Sequence, residues 1–440
     1  MAGSVRWFVV AIFALLYIVS FVDRLILTLL IEPLKADLGI SDTQIGLLIG
    51  TAFALLYAFL GLPIAWLVDR GNRTRIAAAG IIVWSLATIG SGFVSSYSQL
   101  LPLRMCLALG EAALSPVFVS LVVDHFRRED RALPMVIFGA SGITGVTVAY
   151  AIGGGIVDLF ERGVFSDWPV IGDLAVWRAT LVLVGLPGLF LALLLVLTTR
   201  DPPRSVSPKP EGARHASIAG GAFSTVSEML RFYVPFLVGS AFLQTIIYSA
   251  LTWFPTHLVR VFGVPISESG YLFSVALSLG AAITLTYPVL VRQMSRRGRP
   301  DILLPAQLAA LPIGGLLYAA SLMMPSVQSS ILFAIFGLGI MVGVSSLPSI
   351  MVGMTAPPAY SARILAGNVA CQNLIGLAIG PPATAFLAEH AFGGERALAS
   401  AMICVLVIGM PICWLLVFTA WRPYRDAVRQ APIARAAAAA

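Results

Sequence analysis

Charge is what this sequence has least of. Only 11% of its 440 residues are Asp, Glu, Lys or Arg, against about 25% in ordinary soluble domains. A water-soluble fold of this length cannot cover its surface with so few charges. Histidine and cysteine are scarce as well, with four of each. His125, His215, His257 and His390 fall in loops or near the ends of apolar runs, and no HExxH pair or His/Asp cluster occurs, so the chain shows no metal site. Cys106, Cys371, Cys404 and Cys413 lie inside apolar runs and read as small hydrophobes, with no CxxC pair and no disulfide framework. The GxSxG and GxxxxGKS patterns are also missing, which argues against a nucleophile-elbow hydrolase and against an ATP-driven pump. The chain is therefore expected to be no enzyme and to carry no cofactor.

What the sequence has in abundance is apolar surface, at 58% of residues. A helix that crosses a bilayer needs about 20 mostly apolar residues. Twelve such runs can be counted: 7–33, 44–67, 76–97, 99–123, 134–157 and 177–198, then 234–256, 269–291, 302–323, 330–354, 365–388 and 397–420. The first continues past Leu30 with no small-residue cleavage site, so it reads as a retained helix and not a signal peptide. The stretch 199–232 separates the two sets of six. Its Pro202, Pro203, Pro208 and Pro210, with Arg200, Arg204, Lys209 and Arg214, read as a linker, and its end, 223–231, as an amphipathic surface helix. The expected organisation is a six-helix lobe over 1–198, a linker over 199–232, a second lobe over 233–421 and a tail over 422–440.

Lys and Arg placement orients the chain. With both termini cytoplasmic, the inner segments hold 21 of the 28 basic residues and the outer segments five: Lys35, Arg162, Arg178, Arg260 and Arg396. That distribution accounts for the net charge of +7 without a nucleic-acid partner. The expected location is a bacterial inner membrane, with membrane lipids as surroundings. The halves also echo each other. Each has a short basic loop between its second and third helices, Asp69 to Arg75 and Arg292 to Arg299. Each has a fifth helix rich in glycine: Gly139, Gly142, Gly145, Gly153, Gly154 and Gly155, then Gly367, Gly376 and Gly380. Small residues let helix backbones approach closely, and paired halves are what alternating access uses.

A charge at the bilayer centre costs about 2.5–3.5 kcal/mol on insertion scales. Only Asp23, Arg24, Arg104 and Glu111 sit well inside runs, all in the first half. Arg104 and Glu111 are seven residues apart, hence on one helix face. One acid and one base on each of two helices form a balanced set. Such carboxylates can exchange protons as their surroundings change, so Asp23 or Glu111 is the expected protonation site. Arg24 and Arg104 serve as charge partners or as ligands for an anionic headgroup. The bland reading of the four is a salt-bridge network that locks two helices.

The second half offers neutral polar groups: Gln244 and Tyr248 in its first helix, Ser346 in its fourth, and Asn368, Gln372 and Asn373 in its fifth. Tyr57, Phe53, Trp253, Phe254 and Phe273 are candidates to line an apolar part of a cavity. Interhelical glue and lipid contact are the competing roles for these residues. The asymmetry suits a small amphipath, with its headgroup near Arg24, Arg104 and Glu111 and its tail along the second half.

The segment Ala65-Trp66-Leu67-Val68-Asp69-Arg70-Gly71-Asn72-Arg73 resembles the major facilitator signature between helices 2 and 3. Ala65 and Asn72 stand where that signature has glycine. Arg104 with Gly110-Glu111, and Trp177-Arg178 with Gly185-Leu186-Pro187-Gly188, extend the resemblance. Helix 5 is similar to the antiporter motif, with Ala149-Tyr150 in place of Gly-Pro, which weakens an antiport assignment. Asp23-Arg24, the Asp69 to Arg73 loop and Gly110-Glu111-Ala112 resemble the spinster lipid-transporter family in a bacterial form.

The resemblance implies an all-α membrane protein with twelve transmembrane helices in two pseudo-symmetric lobes, most often a monomer. It implies that Asp69, Arg70 and Arg73 help close the cytoplasmic gate, Asp69 above all. It also implies a proton-coupled carrier, H+ being the coupling ion, for a lysolipid or sphingoid phosphate. The alternatives are a proton-coupled drug or organic-anion carrier and, from another class, a non-transporting membrane sensor.

Overall fold

The computed structural model describes residues 2–202, 226–298, 300–356 and 360–428. The body of the expected linker, 203–225, with Pro203, Arg204, Pro208, Lys209, Pro210 and Arg214, lies outside them, as do Arg299, Arg429 and Arg435.

Among the described residues, twelve helices are long and apolar enough to cross a membrane: α1 Arg6–Leu29, α2 Asp42–Gly61, α3 Arg73–Ser91, α4 Tyr97–His125, α5 Ala132–Glu161, α6 Val176–Thr198, α7 Ser227–Phe262, α8 Ile266–Met294, α9 Leu303–Met323, α10 Val327–Thr355, α11 Arg363–His390 and α12 Ala397–Thr419. Helices are required because lipid offers backbone amides no partner, so each must bond within its own segment. No strand occurs among the described residues. The helix of α2 continues beyond its apolar span to Arg70. The amphipathic surface helix expected over 223–231 is not separate. Its described part opens a single 37-residue helix, Val226–Phe262, with Phe232 and Phe236 fully buried. The apolar side of that segment continues in phase with α7, so nothing breaks the helix.

The chain divides into two compact units. One comprises Met1–Val206 with Thr252–Val275, and the other Ser207–Leu251 with Ala276–Ala440. In the first unit α1 packs on α5 and α6, and α3 packs on α4 and α6; in the second, α9 packs on α10 and α12.

Glycine sets the close contact of α1 with α5. A Cβ on Gly145 would stand 2.8 Å from the Phe21 Cβ and 3.1 Å from the Ile18 Cα, so α1 and α5 meet backbone to backbone there. Gly139, on the same helix, would meet nothing within 4 Å. Gly145→Ala is therefore expected to lower stability by about 1–3 kcal/mol through overpacking. Gly139→Ala should be neutral or up to about 1 kcal/mol stabilising through helix propensity. Thermal melts of both variants in one detergent check this; equal melts would remove the close contact as an explanation of the glycine stripe.

Besides α8, which breaks at Leu285, four described helices depart from regular geometry. In α4 the helix breaks between Glu111 and Leu114, where the Ala113 amide reaches back only to the Gly110 carbonyl. In α10 it breaks at Ser346. In α2 and α11, one-residue-wider turns run over Leu47–Ala52 and Gln372–Leu377. Such π-turns concentrate at functional sites, and these four irregularities coincide with the polar positions described next.

Candidate functional site

α1 carries Asp23 and Arg24, and α4 carries Arg104 and Glu111 at its break. Asp23, Arg104 and Glu111 are 0%, 4% and 3% exposed, so all three lie in the interior of the first unit. The structure pairs them across the helices. Arg24 donates to Glu111 Oε2 from Nε at 3.1 Å and also from Nη2. Arg104 donates from Nη1 to the backbone carbonyl of Asp23 at 3.2 Å. The α4 break falls where Glu111 turns towards Arg24.

The set balances in charge, but its hydrogen bonding is incomplete. Asp23 has Trp84 and Thr88 as neighbours, yet neither carboxylate oxygen completes a hydrogen bond, nor do Glu111 Oε1, Arg104 Nε or Arg104 Nη2. Buried charges without full satisfaction are costly, so this is a poor device for stability alone. A cavity of about 10 Å³, lined by Arg24, Arg104 and the widened turn of α2 at Leu48 and Ile49, lies between the two arginines. It has room for about one water. Arg24 also lies 4.3 Å from the Phe53 ring, 5.1 Å from Phe21 and 5.7 Å from Tyr57. Three aromatic faces thus hold the guanidinium beside its carboxylate by cation–π attraction. Of the sequence-predicted aromatics, Tyr57 and Phe53 belong to this site.

The other aromatics are packed in the interior. Trp253, Phe254 and Phe273 are fully buried. Phe273 stacks on Phe254 at 5.2 Å and meets Tyr150 edge-on at 4.8 Å. Tyr150, the departure from the antiporter motif, accepts a hydrogen bond from Thr28 at 3.2 Å and belongs to the same core. His257 lies near the end of α7 and is fully buried there, with the Phe254 and Phe262 rings 5.7 Å away.

The residues of the expected gate separate. Arg73 is 1% exposed. Its guanidinium bonds Asp201 at 2.7 Å, the Pro202 carbonyl at 2.7 Å, Ser120 and Asp124, so it ties the start of α3 to α4 and to the chain after α6. Asp69 is exposed and makes no ion pair among the described residues. Arg70 lies 4.1 Å from the Trp66 ring. The buried charge of this loop is therefore Arg73, where the family signature put the weight on Asp69.

Two clusters at the opposite end were not legible in sequence. Arg260 bonds Glu32 at 2.8 Å and Asp42 at 2.7 and 2.8 Å, with Lys35 also on Asp42 at 2.5 Å. All these residues belong to the first unit. Trp177 and Arg178, noted as a motif at α6, both donate to Asp37 at 2.8 Å. The bond from Arg178 is the main cause that holds the Asp37 carboxyl below the usual carboxylate range.

In the second unit, Gln244 and Tyr248 lie one helical turn apart. A Cβ on Gly376 would stand 2.6 Å from the Gln244 Cβ and 3.3 Å from the Tyr248 ring, so both side chains face the widened turn of α11. That turn starts at Gln372 and Asn373. Asn373 is tied to the Val369 carbonyl at 3.0 Å, and Ser346 to the Gly343 carbonyl at 2.7 Å. Asn368 is 2% exposed, and the side-chain oxygens of Asn368 and Gln244 complete no hydrogen bond. No group of three or more His, Cys, Asp or Glu fit for a metal occurs among the described residues.

The sequence profile of the Major Facilitator Superfamily matches residues 13–374. The chain is 29% identical over 272 residues to an MFS-type efflux pump of Mycolicibacterium smegmatis, covering 61% of this chain and 58% of that protein. It is 28% identical over 264 residues to Protein spinster homolog 1 of Xenopus tropicalis, covering 58% and 47%. The chain thus spans about half the length of these curated relatives. The fold superposes with a TM-score of 0.76, at 24% identity and over 98% of both chains, on a bacterial homolog of the human lysosomal transporter Spinster.

Proposed function

The chain belongs to the Major Facilitator Superfamily, and from that premise we propose that it is a proton-coupled secondary transporter of an amphipathic, anionic, lipid-like substrate such as a lysolipid or a sphingoid phosphate. It is a transporter and not an enzyme, embedded in the membrane through its twelve apolar helices. The observation that carries the finer reading is the four-charge cluster of α1 and α4, balanced in charge but short of hydrogen bonds.

In this reading the Arg24–Glu111 pair is the switch. Protonation of Glu111 or Asp23 frees an arginine, and a guanidinium is suited to take a phosphate headgroup through its planar fork. Release of the headgroup returns the arginine to its carboxylate and expels the proton. The candidate substrate contacts of the second unit, Gln244, Tyr248, Ser346, Asn368, Gln372 and Asn373, are all neutral. Asp69, Arg70 and Arg73 act as the gate at the basic end, which faces the cytoplasm of a bacterial inner membrane, and the carrier works as a monomer.

Counterflow in proteoliposomes, using lysolipids of increasing chain length and a small anion with the same headgroup, tests the substrate class. Each added methylene buried in the site is worth up to about 0.8 kcal/mol, or about fourfold in apparent affinity. Affinity should climb with chain length until the site is full. Exchange of the small anion with equal affinity, at every chain length, would replace this reading by the second one, a drug or organic-anion carrier, which the likeness to the efflux pump favours.

A further inference from the structure

We propose that the groove between α2, α3 and α4 of the first unit is a binding site for one anionic phospholipid, its phosphate on Arg75 and one acyl chain along the groove. The groove has a volume of about 470 Å³, opens on the outside of the helices and is walled by apolar side chains such as Ile64, Val83 and Leu109. That is the size range of sites that hold small apolar ligands.

Its depth is built in by two glycines. Gly80 and Gly110 form the floor, and a Cβ on Gly80 would stand 2.6 Å from the Gly110 carbonyl oxygen. No larger residue fits at Gly80 without moving backbone, so the α3–α4 crossing stays open on its lipid side.

Charge complementarity selects the occupant. Arg73 and Arg75 come from the same basic loop but have different fates. Arg73 is consumed by Asp124 and Asp201. Arg75 is exposed, lines the mouth of the groove and makes no ion pair among the described residues. Nearby Trp66 is 57% exposed with Arg70 stacked on it at 4.1 Å. An exposed tryptophan with an arginine marks the depth of lipid headgroups, so the mouth opens at headgroup level and the apolar walls run into the hydrocarbon. A cation at that depth above an apolar channel fits an anionic lipid, as basic pockets between transmembrane helices do. The site is independent of the transported substrate.

Native mass spectrometry with phosphatidylglycerol and phosphatidylcholine of the same chain length tests it. The wild type should bind phosphatidylglycerol about fivefold tighter than phosphatidylcholine, from about 1 kcal/mol per arginine near the surface. Arg75→Gln should erase that preference while keeping phosphatidylcholine binding. Ala79→Trp, which fills the groove from an exposed position on α3, should weaken both lipids. Arg297→Gln, in the matching loop of the second unit, should change neither. Equal preference in the wild type and Arg75→Gln, equal loss in Arg297→Gln, or full binding in Ala79→Trp would each overturn the site.

Discussion

Glu111→Gln is expected to abolish accumulation of substrate against its gradient in proteoliposomes while exchange without a pH gradient continues. A one-unit pH gradient supplies about 1.4 kcal/mol per proton, so a carrier coupled to one proton concentrates its substrate about tenfold. The variant should reach a ratio of about one. The substitution keeps the shape of the side chain and an oxygen for Arg24 to bond at 3.1 Å, but it removes the titration. Asp23→Asn is the companion test, because Asp23 is fully buried, its backbone carbonyl is bonded by Arg104, and its two carboxylate oxygens complete no hydrogen bond. If both variants accumulate substrate as the wild type does, the cluster merely locks α1 to α4. Because either change leaves an arginine without its counter-charge, the double variant Glu111→Gln, Arg24→Gln controls for folding: it restores neutrality, should melt nearer the wild type and should still not accumulate.

The second large effect lies at Arg73. Arg73→Ala should destabilise the protein by about 3–5 kcal/mol, since it removes the buried cation that the half-buried Asp124 and Asp201 share. Their side chains are 8% and 13% exposed. Arg73→Lys should recover only part of the loss, because an ammonium cannot reproduce the fork that reaches Asp201, Pro202, Ser120 and Asp124 together. Arg70→Ala and Asp69→Asn should each cost under about 1 kcal/mol, as exposed groups do. Thermal denaturation of the four variants in one detergent decides the matter. If Arg73→Lys matches the wild type, the residue is only a topological charge, which any cation satisfies.

The same contrast separates what the sequence carries from what the fold decides. The twelve spans were legible because a bilayer permits one solution, a long apolar helix bonded within itself; the segment before α7 was misread because an amphipathic stretch looks the same whether it ends or continues a helix. The four interior charges were legible because a charge inside an apolar run is expensive and so rare. Their placement on two helices, and the i, i+7 relation of Arg104 and Glu111, followed from helix geometry.

The tertiary structure alone decided the partners. It joined Arg24 to Glu111, set Arg104 on the Asp23 backbone, and placed aromatic rings from α1 and α2 against Arg24. It buried Arg73 and left Asp69 exposed, although the two lie four residues apart. It gathered Glu32, Lys35, Asp42 and Arg260 into one ionic cluster across more than two hundred residues. It also buried Trp253, Phe254 and Phe273 and stacked the last two on each other. Hydropathy is a property of each residue in its own segment, so the sequence by itself determined the helices and the inventory of costly charges. Pairing and burial depend on which faces of distant helices meet, which only the packed chain specifies.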